Sequence, residues 1–327
     1  REKSRSRTFS NFDLNRLSKT MDTRPITSER LSQSVIAVPP LARSAQLQVD
    51  PVANKAMIQF LEQGGITTLL YGGNAVFYHI ALREYAETLQ MLADLSGEET
   101  LVIPSVGPTF GTMLDQADIL KRFEFPTAMV LPQVEVATPE GRATGARKFA
   151  EAYGKPIVLY IKHDHYMDVS LVKSLMSDGV VSAIKYAIVR DDPADDPYLR
   201  SLVDTVGPEL IVSGIGEQPA ITHMKQFGLA GFTSGCVCVA PSLSMNMLAA
   251  CRQGDWNQAE EIRERFTGLE DLRNAIHPIR VLHEAVSAAG ICQSGPLTPL
   301  LSSLEPTELE AVSEAAQKLL TLETSSE

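Results

Sequence analysis

Eight short apolar runs recur along the chain, each followed by a stretch with helical spacing, and this alternation limits the folds open to it. The runs are Val35–Val38, Thr67–Tyr71, Leu101–Pro104, Ala128–Leu131, Ile157–Ile161, Val181–Lys185, Leu210–Ser213 and Gly231–Thr233. Successive runs are spaced at roughly the 25–30 residues of one strand–helix unit. Between them, Val52, Met57, Ile58 and Leu61 make one apolar helical face, and Ile80, Leu82, Tyr85, Leu89 and Leu92 make another. Phe149 with Tyr153 and Leu171 with Leu175 mark two more, and Gly64-Gly65, Gly154, Gly179 and Gly228 stand where helices would stop. Eight such units close naturally into a (β/α)8 TIM barrel, with a doubly wound open sheet as the alternative. After Pro241 the pattern becomes purely helical, over 242–253, 255–289 and 306–322. The expected organisation is a mobile N-terminal extension over 1–30, a barrel over 31–240 and a C-terminal helical extension over 241–327, packed on the barrel.

Composition narrows the function classes. A chain of 327 residues that is 44% hydrophobic can bury a core without disulfide or metal staples. The net charge is −11, yet residues 1–30 carry +4, which leaves −15 on the rest. No basic face is visible in the folded part, which argues against a nucleic-acid partner. No apolar run is long enough for a transmembrane helix, so no membrane partner is expected. The four cysteines (Cys236, Cys238, Cys251, Cys292) are too sparse for a disulfide scaffold and fit reduced thiols, hence a cytoplasmic setting. Residues 1–30 are rich in Ser and Arg and lack the apolar core of a secretory signal. Met21 could be a natural start, with 1–20 as upstream sequence.

Barrel active sites lie at the C-terminal ends of the strands. Lys185 ends the sixth run, Val180-Val181-Ser182-Ala183-Ile184-Lys185. Desolvation there lowers an amine's pKa and frees its lone pair, the requirement for attacking a carbonyl to form a Schiff base. The plainer alternative is a strand-end lysine whose ammonium reaches water.

An ordered set of segments resembles the dihydrodipicolinate synthase / N-acetylneuraminate lyase family of class I aldolases. Val35–Pro40 with Val49-Asp50 is similar to the family's first strand and the acid that opens its first helix. Gly64-Gly65-Ile66-Thr67-Thr68-Leu69-Leu70-Tyr71-Gly72 resembles the second strand running into its Gly-Thr-Thr-Gly-Glu loop, and Leu101–Gly107 the third strand. Lys155–Tyr160 resembles the fifth strand, and Lys185 falls at the Schiff-base lysine. Ser213-Gly214 and Gly228–Gly235 resemble the seventh and eighth strand ends, and His277–Arg280 and Gly295–Leu300 the late segments. The resemblance implies imine chemistry on pyruvate or another 2-oxo acid, no cofactor beyond the covalent imine with Lys185, and a homo-oligomer, dimer or tetramer. It implies a catalytic role for Lys185 and substrate contacts from Gly73, Asn74, Gly214 and Ser234. Tyr160 matches a family tyrosine that is mainly structural there, and its catalytic role is this chain's own candidate, as a replacement proton carrier.

Two departures stand out. Where the family writes Gly-Thr-Thr-Gly-Glu to bind the keto-acid carboxylate, this chain has Gly72-Gly73-Asn74-Ala75-Val76. A loop entering a helix still offers N–H groups to an anion, and the Asn74 amide can donate in place of a hydroxyl. The family's fourth strand ends in Pro-x-Tyr, its proton shuttle, whereas this chain reads Leu131-Pro132-Gln133-Val134, with Val134 at the tyrosine position. The acid/base must then come from elsewhere, with Tyr160, Tyr71, Tyr186 and the histidines of Lys162-His163-Asp164-His165-Tyr166 as candidates.

Other features are read more plainly. His163, Asp164 and His165 could ligate a metal, but no second paired set exists, and no metal is assigned. His79 could face the barrel mouth or merely pack. Arg190 could clasp a second substrate carboxylate or belong to a solvated acidic loop with Asp191, Asp192, Asp195 and Asp196. Two functions follow: a Schiff-base lyase of aldolase, synthase or dehydratase type, or a barrel that kept the fold and binds a keto acid or serves an assembly without catalysis.

Overall fold

The computed structural model describes residues 21–325. Eight parallel strands form a closed ring: β1 (Ile36–Ala37), β2 (Thr68–Tyr71), β3 (Leu101–Val106), β4 (Met129–Val130), β5 (Ile157–Ile161), β6 (Val181–Tyr186), β7 (Ile211–Ser213) and β8 (Gly231–Ser234). Each pairs with its sequence neighbours, and β8 returns to β1 through Ile36↔Thr233 and Ala37↔Ser234. The helices are α1 (Ser28–Gln33), α2 (Pro51–Gln63), α3 (Leu82–Leu95), α4 (Phe110–Leu120), α5 (Pro139–Tyr153), α6 (Val169–Ser177), α7 (Pro197–Val206), α8 (Ala220–Phe227), α9 (Pro241–Gln253), α10 (Trp256–Ala275), α11 (Pro278–Ala288) and α12 (Pro306–Thr324). The molecule is a (β/α)8 barrel with helices appended after β8, as the sequence period predicts.

Local chemistry places these elements. The strands are buried on both faces, which is why they read as continuous apolar runs rather than alternating ones. Helices α2, α5, α7, α9, α11 and α12 all open on proline, whose missing N–H costs nothing in a first turn. Asp50, Thr138, Asp196 and Asp255 cap α2, α5, α7 and α10 with side-chain oxygens. The helical stretch expected over 255–289 is broken at His277-Pro278. The His277 ring caps α11 and Pro278 begins it, so one predicted helix becomes two.

One boundary needs correction. Residues 1–20 lie outside the described residues, but 21–30, expected as part of a mobile extension, pack on the barrel. Met21 and Asp22 are buried, Asp22 bridges to Leu101 at the start of β3, and its carboxylate pairs with Arg24 and Arg30. A short buried acid between two arginines organises this segment; its pKa is lowered by those partners against the cost of burial.

The last helix is tied to the first one after β8 by a polar contact. The buried Glu323 carboxylate, at the end of α12, accepts from the backbone N–H groups of Ser242 and Leu243 at 2.7 and 2.9 Å. It thereby satisfies two orphan donors at the start of α9 and sits at that helix's positive end. Among the described residues, no helix is long and apolar enough to cross a membrane. Replacing Glu323 by Ala leaves those donors unpaired. The expected loss is about 2 kcal/mol, read as a thermal midpoint a few degrees lower, whereas an unchanged midpoint would mean water replaces the carboxylate without cost.

Candidate active site

Lys185 stands one residue before the end of β6, where Tyr160 of β5 is its direct cross-strand partner. Neighbouring side chains on parallel strands point to the same face, so the lysine stem lies along the tyrosine ring, with Nζ 4.5 Å from the ring centroid. Gly214, after β7, makes room for that stem. A Cβ there would come within 2.9 Å of Lys185 Cγ and 2.8 Å of the Tyr186 carbonyl oxygen, so no larger residue fits without displacing the lysine.

Lys185 is only 5% exposed, and its pKa is brought down to about 7, first by loss of hydration and then by the charges of Lys162 and Arg273. Burial pushes the Tyr160 hydroxyl up to about 12, with Arg273 pulling the other way, so the phenol is neutral and able to donate at neutral pH.

These residues wall a cavity of about 260 Å³ at the C-terminal ends of the strands. The predicted residues Lys185, Tyr160, Gly73, Asn74 and Gly214 all line it. Ser234 does not. Its hydroxyl accepts from the Val237 N–H at 3.0 Å, fixing the turn after β8, and the neighbouring Thr233 lines the cavity instead. Asn74 is buried and held from two sides: Nδ2 donates to the Val38 carbonyl at 2.9 Å, and the Asn74 carbonyl lies 3.1 Å from the imidazole Nε2 of His283. Burial lowers the pKa of His283 to about 4, so its ring is neutral and serves as a support.

Other candidates go elsewhere. Tyr186 donates to the buried Asp196, and Tyr71 is wholly buried outside the cavity wall. Val134 is 44% exposed on a loop, and its carbonyl accepts from Arg142. His163 and His165 lie on the loop after β5 away from the cavity, and the Asp164 between them pairs with Arg190. Arg190 also pairs with Asp196, so its charge is spent within the fold. His79 is exposed and does not line the cavity. The four cysteines are buried and unpaired.

Three lining residues carry function-bearing groups that the sequence pattern did not single out: Tyr78, Lys162 and Arg273. Arg273 comes from α10 and is 8% exposed. Lys162, Lys185 and Arg273 make the wall cationic, and no Asp or Glu lines it, in a chain whose net charge is −11. Such a cavity selects an anionic guest.

Residues 33–319 match the model of the dihydrodipicolinate synthetase family. The chain belongs to this family. Membership makes it a lyase-type enzyme. Among similar sequences is the probable 5-dehydro-4-deoxyglucarate dehydratase of Pseudomonas putida (strain GB-1), 20% identical over 298 residues that cover 88% of this chain and 96% of the relative. Among solved structures, dihydrodipicolinate synthase from Oceanobacillus iheyensis superposes with a TM-score of 0.76 at 21% identity, covering 90% of this chain and 99% of that one. The sialic acid aldolase of Ruminococcus gnavus gives a TM-score of 0.77 at 15% identity, covering 90% and 99%. The same barrel fold is thus built here from a sequence that differs at about four positions in five from these structures.

The depressed amine has a direct consequence. A lysine with a pKa of about 7 is protonated and inert below that pH and free above it. Arylation of Lys185 by 1-fluoro-2,4-dinitrobenzene, which has no titrating group of its own, followed by peptide mass mapping, is expected to rise about tenfold from pH 5 to 6 and to level off above about pH 8. A rate still climbing between pH 8 and 10 would show an ordinary, hydrated lysine.

Proposed function

We propose that this family member is a Schiff-base-forming lyase, of aldolase, synthase or dehydratase type, acting on pyruvate or another 2-oxo acid. One observation carries the reading: the desolvated amine of Lys185 opens into a cavity with two further cations and no carboxylate. The amine attacks the keto carbon, a C–N bond forms, and the carbonyl oxygen leaves as water with both amine protons. Protonation of the resulting imine gives an iminium, which accepts the electron pair released when a bond to the adjacent carbon breaks. That electron sink needs no cofactor beyond the covalent imine with Lys185.

Tyr160 is the proposed proton carrier. Its ring is fixed against the lysine, and its phenol is neutral at working pH. It thus takes a place that Val134 cannot fill. Gly73 and Asn74 are the proposed loop contacts for the substrate, and Gly214 shapes the floor around the lysine. Ser234 enters only through the turn it holds. The Pseudomonas relatives, named as probable 5-dehydro-4-deoxyglucarate dehydratases, support the dehydratase type among those proposed. The homo-oligomer that the family resemblance implies, dimer or tetramer, fits an apolar cleft near Phe110 and Met113, with Val136 fully exposed at its edge.

Incubation with pyruvate and then with larger 2-oxo acids, each followed by borohydride, is expected to leave a reduced adduct on the peptide containing Lys185. The adduct should disappear in Lys185→Ala. Binding of 2-oxo acids without any adduct would support the alternative, a keto-acid-binding barrel that no longer catalyses.

A further inference from the structure

The strongest unexplained group in the molecule is Arg273. A guanidinium carries five N–H donors and stays charged in proteins, so burying it without partners is unfavourable. Arg273 is nonetheless 8% exposed, and its Nε is buried with no hydrogen-bond partner. Its Nη1 reaches only Cys236 Sγ at 4.0 Å and Glu270 Oε1 at 3.9 Å, the latter beyond hydrogen-bonding range.

The carboxylate beside it is committed elsewhere. Glu270 Oε1 accepts the backbone N–H of Glu217 at 2.9 Å, and the Ser244 hydroxyl donates to Glu217 Oε1 at 2.7 Å. Gly216 permits this close approach, since a Cβ there would lie 2.1 Å from Glu270 Oε1. Burial and the neighbouring Glu217 raise the pKa of Glu270 well above the usual carboxylate range, which favours its neutral form. Arg273 is therefore held in place by this cluster without being neutralised at contact distance. Glu217, Cys236 and Glu270 are close enough together to suggest a cation site, but the guanidinium already stands beside them, and a second cation would be repelled.

Arg273, Asn74 and Gly235 meet in the wall of the cavity that holds Lys185. A Cβ on Gly235 would lie 3.2 Å from Arg273 Nη2 and 3.1 Å from Asn74 Nδ2. A side chain at 235 would crowd both groups, so glycine there lets the two N–H donors stand close together where they line the cavity. One N–H of the Asn74 amide is used by the Val38 carbonyl, which fixes the direction of the other.

We infer that Arg273, with Asn74, is the receptor for the substrate carboxylate and determines the preference of this enzyme for 2-oxo acids over neutral carbonyl compounds. The Glu217–Glu270 pair is its positioning element. A planar guanidinium matches a carboxylate with two parallel hydrogen bonds, and the second donor at Asn74 closes the fork. The inference rests on the imine reading only for which carboxylate is received, that of the 2-oxo acid condensing with Lys185.

The test compares borohydride trapping of Lys185 by pyruvate and by propanal, a neutral carbonyl, in the full chain and in Arg273→Gln and Arg273→Lys. The wild type is expected to prefer pyruvate, and both variants to lose at least about tenfold of that preference, because lysine keeps the charge but not the fork. The ratio cancels any change in the reactivity of Lys185 itself. An unchanged ratio in either folded variant overturns the inference. Calorimetric titration with oxamate, a carboxylate that cannot form the imine, separates the two readings. If no carbonyl compound is trapped by the wild type, the imine reading fails. Oxamate binding by the wild type that is lost in Arg273→Gln then still sustains the receptor, while equal binding, or none in the wild type, overturns it.

Discussion

Closure of the strand ring is the constraint from which the rest of the molecule follows. Pairing of β8 back onto β1 leaves the barrel without an edge and turns the C-terminal ends of all strands toward one axis. Residues as distant in sequence as Asn74 and Gly235 become neighbours only because the ring is shut. The same closure removes water from the strand ends, so an amine placed on β6 is desolvated by geometry alone. The register between β5 and β6 then sets Tyr160 against Lys185, and the missing side chain at Gly214 lets the lysine stem pass.

Electrostatics turn that geometry into chemistry. Buried cations are unfavourable unless paired, and the cavity wall holds two of them, Lys185 and Arg273, with the exposed Lys162 beside them and no acid. Burial first, and then the charges of Lys162 and Arg273, lower the readiness of Lys185 to stay protonated. Lys185 yields because an amine can lose its proton, whereas Arg273 does not. Desolvation, helped by the neighbouring charges, thus sorts the groups by chemistry into a nucleophile and a permanent positive charge. The acids that give the chain its net charge of −11 lie outside that wall, Asp164 and Asp196 among them, both paired with Arg190.

The barrel was legible because a doubly buried parallel strand and a one-sided helix leave different periods, and eight repeats of that contrast allow few closures. All eight expected runs became strands. Lys185 was legible for the same reason, since a charge ending a buried run has one direction to face. The substitute for the tyrosine missing at Val134 was only partly so: sequence offered Tyr160, Tyr71 and Tyr186 alike, and only strand register separates the one beside the amine from the two that pack elsewhere. Ser234 shows the limit from the other side. It sits one residue from a cavity-lining position, and a one-residue step on a strand reverses the face.

Arg273 escaped notice because α10 is rich in charge, and an arginine there reads as solvated surface. A signal was nevertheless present. The buried positions Ala259, Ile262, Phe266 and Leu269 step by three and four residues, and the next step lands on Arg273. A permanent cation on the apolar stripe of an amphipathic helix must either be an error of packing or face something polar that the helix covers. Here the end of the stripe reaches the mouth of the barrel, where Arg273 and Asn274 of α10 and the start of α11 form part of the cavity wall. Glu323, by tying α12 to the start of α9, and the Glu217–Glu270 contact, by tying α10 to the loop after β7, then hold the position of a charge inside the cavity as well as the stability of the extension.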